Sequence, residues 1–389
     1  MQNEQPSTEK PQLVELLRQR IEAEGGIPFA DYMSACLYHP EYGYYTGARE
    51  RIGKGGDFFT SSSVHALFGR LIARQLVQMW ELLGRGPFTI AEQGAGEGHL
   101  ALDVLDALVE ESPQMYEQLD YRMVEVSPDN RDRQKSRLAK HATSGRIFWC
   151  REEELNGLRG CVLSNELVDA FPVHLVEMTA DGLREVFVVN TEDGFAEELR
   201  PLSDPAIAEH LATLGVKLAP GYCTEVNLEA PRWITRVGDA IEKGFVLTID
   251  YGYPAVELYA PHRNAGTLMC FHRHTSNDNP YKHVGCQDIT AHIDFTSLER
   301  AGRTAGLETL YFGEQYRFLM ALGFVDALVE LQARETDPQK AQALRMTLKN
   351  LILPDGGMGD TFKVLVQGKG VGTPQLLCQR RISDIPLPV

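Results

Sequence analysis

The run Thr89–Leu105, TIAEQGAGEGHLALDVL, sets the terms for the rest of this chain. Phe88, Thr89, Ile90 and Ala91 read as a short buried strand that ends at Glu92. Gly94, Gly96 and Gly98 follow at alternate positions, and Leu100, Ala101, Val104, Leu105 and Leu108 then recur at helical spacing. Strand, glycine turn and helix in that order predict an α/β sheet with a nucleotide pocket. Glycines let the backbone approach a ligand where a Cβ would collide, and the helix N-terminus adds free N–H groups.

The glycine spacing bears on which nucleotide. A dinucleotide fingerprint is G-x-G-x-x-G, with a pyrophosphate on the helix dipole. Here the third glycine comes one residue early, at Gly98, and His99 stands where it would be needed. The G-x-G-x-G form with a preceding acid, Glu92, is closer to S-adenosylmethionine (SAM) methyltransferases. SAM has no phosphate, so its pocket needs an acid for the amino group rather than a pyrophosphate cradle. Taken alone, the motif leaves a dinucleotide or a merely tight turn open.

A chain of 389 residues suggests two to three domains, or one elaborated α/β domain. The net charge of -16 argues against generic binding to nucleic acid phosphates. The seven cysteines are scattered, with no C-x-x-C, which points to a reducing compartment. The N-terminal MQNEQPSTEK has no apolar core of a secretory signal, and no run reaches the length of a membrane span. The expectation is a cytoplasmic protein.

Along the chain, Leu13, Val14, Leu16, Leu17 and Ile21 predict an amphipathic helix ending at Gly25-Gly26. The tyrosine-rich stretch FADYMSACLYHPEYGYYTG reads as turn-rich and packed. The loop from Lys54 to Ser63 brings Asp57 and Thr60 after two glycines, which suits a polar ligand or a helix N-cap. A helix from Val64 to about Leu83 follows. Residues 1–85 are thus expected as a helical N-terminal extension and lid, and 86–389 as the core.

Within the core, Tyr121–Val126 is a second strand with Glu125 at its end, placed to accept from ribose hydroxyls. Arg146–Cys150 and Cys161–Ser164 are the third and fourth, the latter running into Asn165-Glu166-Leu167-Val168-Asp169. Alternating strands and helices imply a parallel sheet with ligands beyond the C-terminal strand ends. Gly94, Glu125 and Asn165-Glu166 all fall at such ends. Residues 174–228 read as an insertion, antiparallel over His174–Glu198 with Asp-Gly hairpin turns. Glu229–Lys243 reads as a helix, Phe245–Ile249 as a buried strand ending at Asp250, Leu307–Phe312 as a strand, 313–355 as a mainly helical segment and Phe362–Val366 as a last strand.

The motifs LYHPEYGYY, GGDFFTS, EQGAGEGHLALDVL, VEVSP, NELVDAFPV, LTIDYG, GTLMCFHRH, DITAHIDF and FKVL occur in this order. Together, over about residues 27 to 367, they resemble the SAM-dependent methyltransferase family that includes the mitochondrial complex I assembly factor, a protein arginine methyltransferase. The resemblance implies a class I fold: a Rossmann-like, mostly parallel seven-stranded sheet with a helical N-terminal extension and an antiparallel insertion. It implies SAM bound by Gly94, Gly96, Gly98 and Glu125; from their places at strand ends and in the polar loop, Glu92, Asn165, Asp57 and Thr60 are expected as further cofactor contacts. Ser62-Ser63 stand where the family usually has Pro-Glu.

The expected chemistry is methyl transfer to an arginine of a protein substrate, a respiratory complex I-type subunit by resemblance. In-line displacement at a sulfonium-bound carbon needs donor and nucleophile held in line, and a guanidinium acceptor needs carboxylates to orient it and take a proton. The candidates are Glu166, Asp169 and Asp57, with Asp250 behind them. For Asp169 the competing reading is a helix cap, and for Asp250 a turn residue. His272, His274, His283, His292 and Cys270 match no regular zinc spacing, so no metal is expected. The partner is a protein, with neither nucleic acid nor a membrane span, and a homodimer is left open. A non-catalytic assembly factor is the main alternative, and an NAD(P) oxidoreductase a distant third.

Overall fold

The computed structural model describes residues 9–47, 65–334, 336–349, 351–353, 359 and 361–381. The loop carrying Asp57 and Thr60 lies outside the described residues. The chain forms two compact units, each assembled from separate segments. Among the described residues one unit takes 65–167, 234–252 and 299–381, and the other takes 9–47, Val168–Trp233 and Tyr253–Leu298. The boundary expected at 85/86 is therefore not where compactness divides the chain. The 174–228 insertion shares its unit with the N-terminal segment.

The first unit is built on Phe88–Gln93 (β1), Leu119–Val124 (β2), Ile147–Cys150 (β3), Leu158–Asn165 (β4), Ile241–Tyr253 (β5), Glu308–Glu314 (β6) and Phe362–Lys369 (β7). These strands pair in the order β3-β2-β1-β4-β5-β7-β6. The ladders from β3 through to β5 are all parallel, and β7 lies antiparallel between β5 and β6. The strand order reverses at β1/β4, which opens a crevice at the C-terminal strand ends. Strands covered on both faces become near-continuous apolar runs, and all but one residue of β1 is buried.

Helices Leu67–Leu82 (α1) and His99–Glu111 (α2) bury Leu71, Ile72, Leu76, Val104, Leu105 and Leu108 in the same core as Ile90, Leu163 and Leu247. Gly69 lets the two helices meet, since a Cβ there would lie 2.4 Å from Asp103 Cβ. A third helix, Pro128–Arg137 (α3), follows β2 and is capped by Ser127, whose Oγ accepts from Asn130 N at 3.3 Å. The helix expected over Glu229–Lys243 stops at Ala240. Ile241 already pairs with Leu158, so β5 begins there. The mainly helical segment holds helices Gln315–Ala321, Phe324–Arg334 and Pro338–Lys349.

The second unit contains the expected hairpins. His174–Thr179, Gly182–Thr191 and Gly194–Arg200 pair antiparallel, with Tyr222–Val226 and Ile27–Pro28 on the flanks. Helix Pro11–Glu24 ends at Gly25, whose φ of 73° is the left-handed cap that glycine favours. Phe29–Tyr38, read from sequence as turn-rich, is a helix, and turns start only at His39. It buries Tyr32 and Met33 against Val188 and Cys270, and Tyr32 donates to Pro280 O at 3.1 Å. Among the described residues no helix is long and apolar enough to cross a membrane.

Candidate active site

The crevice of the first unit carries the glycine loop. Gly94, Gly96 and Gly98 all hold left-handed backbone, with φ of 69°, 52° and 81°. A side chain at any of them would be strained, which explains why the sequence spends three glycines here. Gly94 N donates to Val124 O at 3.1 Å, so the loop starts against the end of β2. A Cβ on Gly94 would come within 2.8 Å of Leu167 Cδ1, so the loop also touches the turn that follows β4. Gly98 is the N-cap of α2 and supplies no capping side chain.

Glu125, just past β2, is 6% exposed. Its Oε1 accepts from Ser127 N at 2.8 Å, and its Oε2 from Asn130 Nδ2 at 3.3 Å and Gln134 Nε2 at 3.4 Å. Gln134 also donates to Gly96 O at 2.7 Å and accepts from Trp149 Nε1 at 2.9 Å. Arg133 and Arg137 donate to the Glu97 carboxylate at 3.1 and 3.2 Å, and Arg137 also reaches Glu97 O. With His99 beside it, and with Arg137 and Arg133, the Glu97 carboxyl is held down at about 2 against the opposing effect of burial. Helix α3 thus grips both the acid after β2 and the glycine loop.

The turn after β4 is strained. Glu166 is not glycine, yet its φ is 55°. Such a conformation costs on the order of 1–3 kcal/mol and persists only where surroundings enforce it. They do so here: Glu166 N donates to Ile249 O at 2.9 Å, and Leu167 N donates to Asp250 Oδ2 at 3.2 Å. Asp250 is fully buried and its Oδ1 accepts from Tyr251 N at 2.8 Å, so it braces this turn from within β5. Asn165 Nδ2 donates to Glu166 Oε1 at 3.0 Å. That bond fixes the amide, and Asn165 Oδ1 is left buried with no protein partner.

The structure therefore brings together Gly94, Gly96, Gly98, Glu125, Asn165 and Glu166. Glu92 sits within β1 rather than in the loop, 2% exposed, with its Oε2 accepting from Tyr121 O–H at 2.6 Å. Asp169 belongs to the other unit, where its backbone carbonyl accepts from Ala291 N at 3.0 Å. Residues 166–173 form bends and turns and no helix, so the capping reading of Asp169 is not met. Asp57 and Thr60 lie outside the described residues. Gln134 and Glu97 were not singled out from sequence; a buried glutamine in a polar helix leaves no periodic signal. Among the described residues no three His, Cys, Asp or Glu side chains gather as a metal site.

Comparison with known proteins fits this geometry. A family of S-adenosyl-L-methionine-dependent methyltransferases matches residues 71–313. The mitochondrial protein arginine methyltransferase NDUFAF7 homolog of Drosophila melanogaster is 30% identical over 92% of this chain and 85% of its own. The Homo sapiens NDUFAF7 is 27% identical over 89% and 81%. A crystal structure from Burkholderia thailandensis, bound to S-adenosyl-homocysteine, has 34% identity and a TM-score of 0.86 over 95% of both chains. The chain belongs to this family of SAM-dependent methyltransferases, and SAM is its cofactor.

The residues present fit that cofactor. Three left-handed glycines turn the loop tightly at the C-terminal end of β1, where a cofactor sits in such sheets. The Glu125 carboxylate stands just past the end of β2, where ribose hydroxyls lie in such sheets. The unpaired Asn165 Oδ1 is an acceptor suited to an ammonium N–H. When bound, SAM supplies a sulfonium-activated methyl group.

Proposed function

We propose that this enzyme methylates an arginine guanidinium of a protein, with a respiratory complex I-type subunit as the substrate class. The observation that carries this reading is Glu166. It is a carboxylate held on strained backbone at a strand end, beside the glycine loop and joined to Asn165. Strain of this kind concentrates where a side chain must be aimed. The Glu166 carboxylate offers acceptors, and a guanidinium offers five donors in a planar fork. Glu166 would bind and orient that fork and take the proton released as the new N–C bond forms. The names of the relatives, protein arginine methyltransferases, support the same acceptor.

The test uses the full chain, SAM and candidate protein substrates. The expected result is production of S-adenosylhomocysteine with a mass gain of one methyl group on arginine. Glu166→Gln keeps the shape and loses the charge, so SAM affinity stays near that of the parent while turnover falls at least a hundredfold. That fall corresponds to roughly 3 kcal/mol of transition-state stabilisation. Turnover equal to the parent, or methyl groups on lysine or carboxylates instead, would remove the arginine reading.

A further inference from the structure

We propose that Gln134 is a positioning residue that sets the spacing between the glycine loop and Glu125, so that cofactor affinity depends on its amide as well as on Glu125. Gln134 is fully buried. Its Nε2 serves Gly96 O and Glu125 Oε2, both of which can only accept, and its Oε1 serves Trp149 Nε1, which can only donate. The amide orientation is therefore dictated by its neighbours. A carboxylate at 134 would have no donor for Gly96 and would set a second negative charge against Glu125. A hydrocarbon would leave Trp149 N–H without its acceptor.

The composition of α3 points the same way. Its ten residues, PDNRDRQKSR, contain no apolar side chain except Pro128, and its buried residues are Asn130 and Gln134. Four residues apart, they share one helix face, and both donate to Glu125. Helices usually gain their place by burying hydrocarbon. This one buries two amides, which is unfavourable unless their hydrogen bonds are made. Arg133 and Arg137 extend the grip to the next residue of the loop, Glu97. One short helix thus fixes the loop at Gly96–Glu97 and the acid at 125 relative to each other, which is the preorganisation a two-ended ligand needs.

The experiment is calorimetry with SAM and with S-adenosylhomocysteine on the full chain, which requires no knowledge of the acceptor. Once the parent is shown to bind, Gln134→Met, similar in length and apolar, is expected to weaken both ligands by at least tenfold. Gln134→Glu is expected to weaken them more. Combined with Glu125→Gln, Gln134→Met should cost much less than the product of the two single losses, because both act through one contact. If Gln134→Met fails to fold, Trp149→Phe carries the test, since it frees the Gln134 amide from outside, and a severalfold loss of affinity is expected. Parent-like affinity in the folded variant, full multiplicativity with Glu125→Gln, or no change in Trp149→Phe overturns the proposal.

Discussion

The phenolic O–H of Tyr121 donates to Oε2 of Glu92 at 2.6 Å, inside the core and two residues before the glycine loop. Burial pushes the Glu92 carboxyl up to about 7; the Tyr121 bond opposes that rise and the Glu125 charge adds to it. A carboxyl raised in the fold favours the protonated native state. Its contribution is whole below the ordinary value of 4.5 and is lost as pH climbs through 7. Ionising it in place costs about 3 kcal/mol at 1.36 kcal/mol per tenfold. Glu92→Gln keeps an acceptor for Tyr121 and cannot ionise. Urea unfolding should show the variant near the parent at pH 5 and more stable by about 2–3 kcal/mol at pH 8.5. A gap that does not widen with pH would contradict the assignment.

Glu97 has the opposite sign. His99, Arg137 and Arg133 hold its carboxyl down at about 2, so the stability it brings is present above the ordinary 4.5 and drains away as pH falls toward 2. Glu97→Gln should lower the melting temperature at pH 6. The difference from the parent should close as both are acidified toward pH 2.5. SAM affinity should drop severalfold, because the loop loses its outer tie to α3. A melting difference that is constant across this range would show that the ion pairs contribute nothing.

At 166 the backbone offers a separate test. Glycine adopts a φ of 55° without strain, so Glu166→Gly relieves about 1–2 kcal/mol. It gives back roughly 0.5–1 kcal/mol in unfolded-chain entropy. The variant should be as stable as the parent or up to about 1 kcal/mol more stable, while methyl transfer is lost. An active variant would mean that the strain serves the turn and not the carboxylate.

Glu125→Ala removes a charged acceptor from ribose hydroxyls, where such bonds are worth roughly 1.5–3 kcal/mol. Titration calorimetry should show SAM weakened about tenfold to a hundredfold. Binding unchanged from the parent would move the ribose elsewhere.

Much of the first unit was legible because its central strands are buried on both faces and its parallel strands are separated by helical periods. Seven strands and the stations at Gly94, Glu125 and Asn165-Glu166 were placed within a few residues. The interleaving of two units was not legible, because composition cuts a chain into consecutive blocks, while here residues 9–47 find partners beyond residue 168. Phe29–Tyr38 was missed as a helix because Pro40, Gly43 and Gly47 just beyond it gave the whole stretch a turn-like composition. Ile241–Lys243 continued a helical pattern, and only pairing with Leu158 and Arg159 made it strand. The left-handed Glu166 left no trace, since glutamate is not a residue type that marks positive φ. Gln134 was hidden for the reason that gives it its role: its burial satisfies polar neighbours, and no hydrophobic period reports it.

The position of β7 bears on how the protein is made. This strand, Phe362–Lys369, is the last among the described residues and lies between β5 and β6. A ribosome that has released the first 350 residues has already delivered every station of the site. Yet β5 still shows an open edge and β6 has no neighbour until the final strand emerges. Unpaired edges recruit other chains. A message truncated shortly before β7 would therefore yield a polypeptide with its chemistry encoded in full, lost to aggregation and proteolysis before it could turn over.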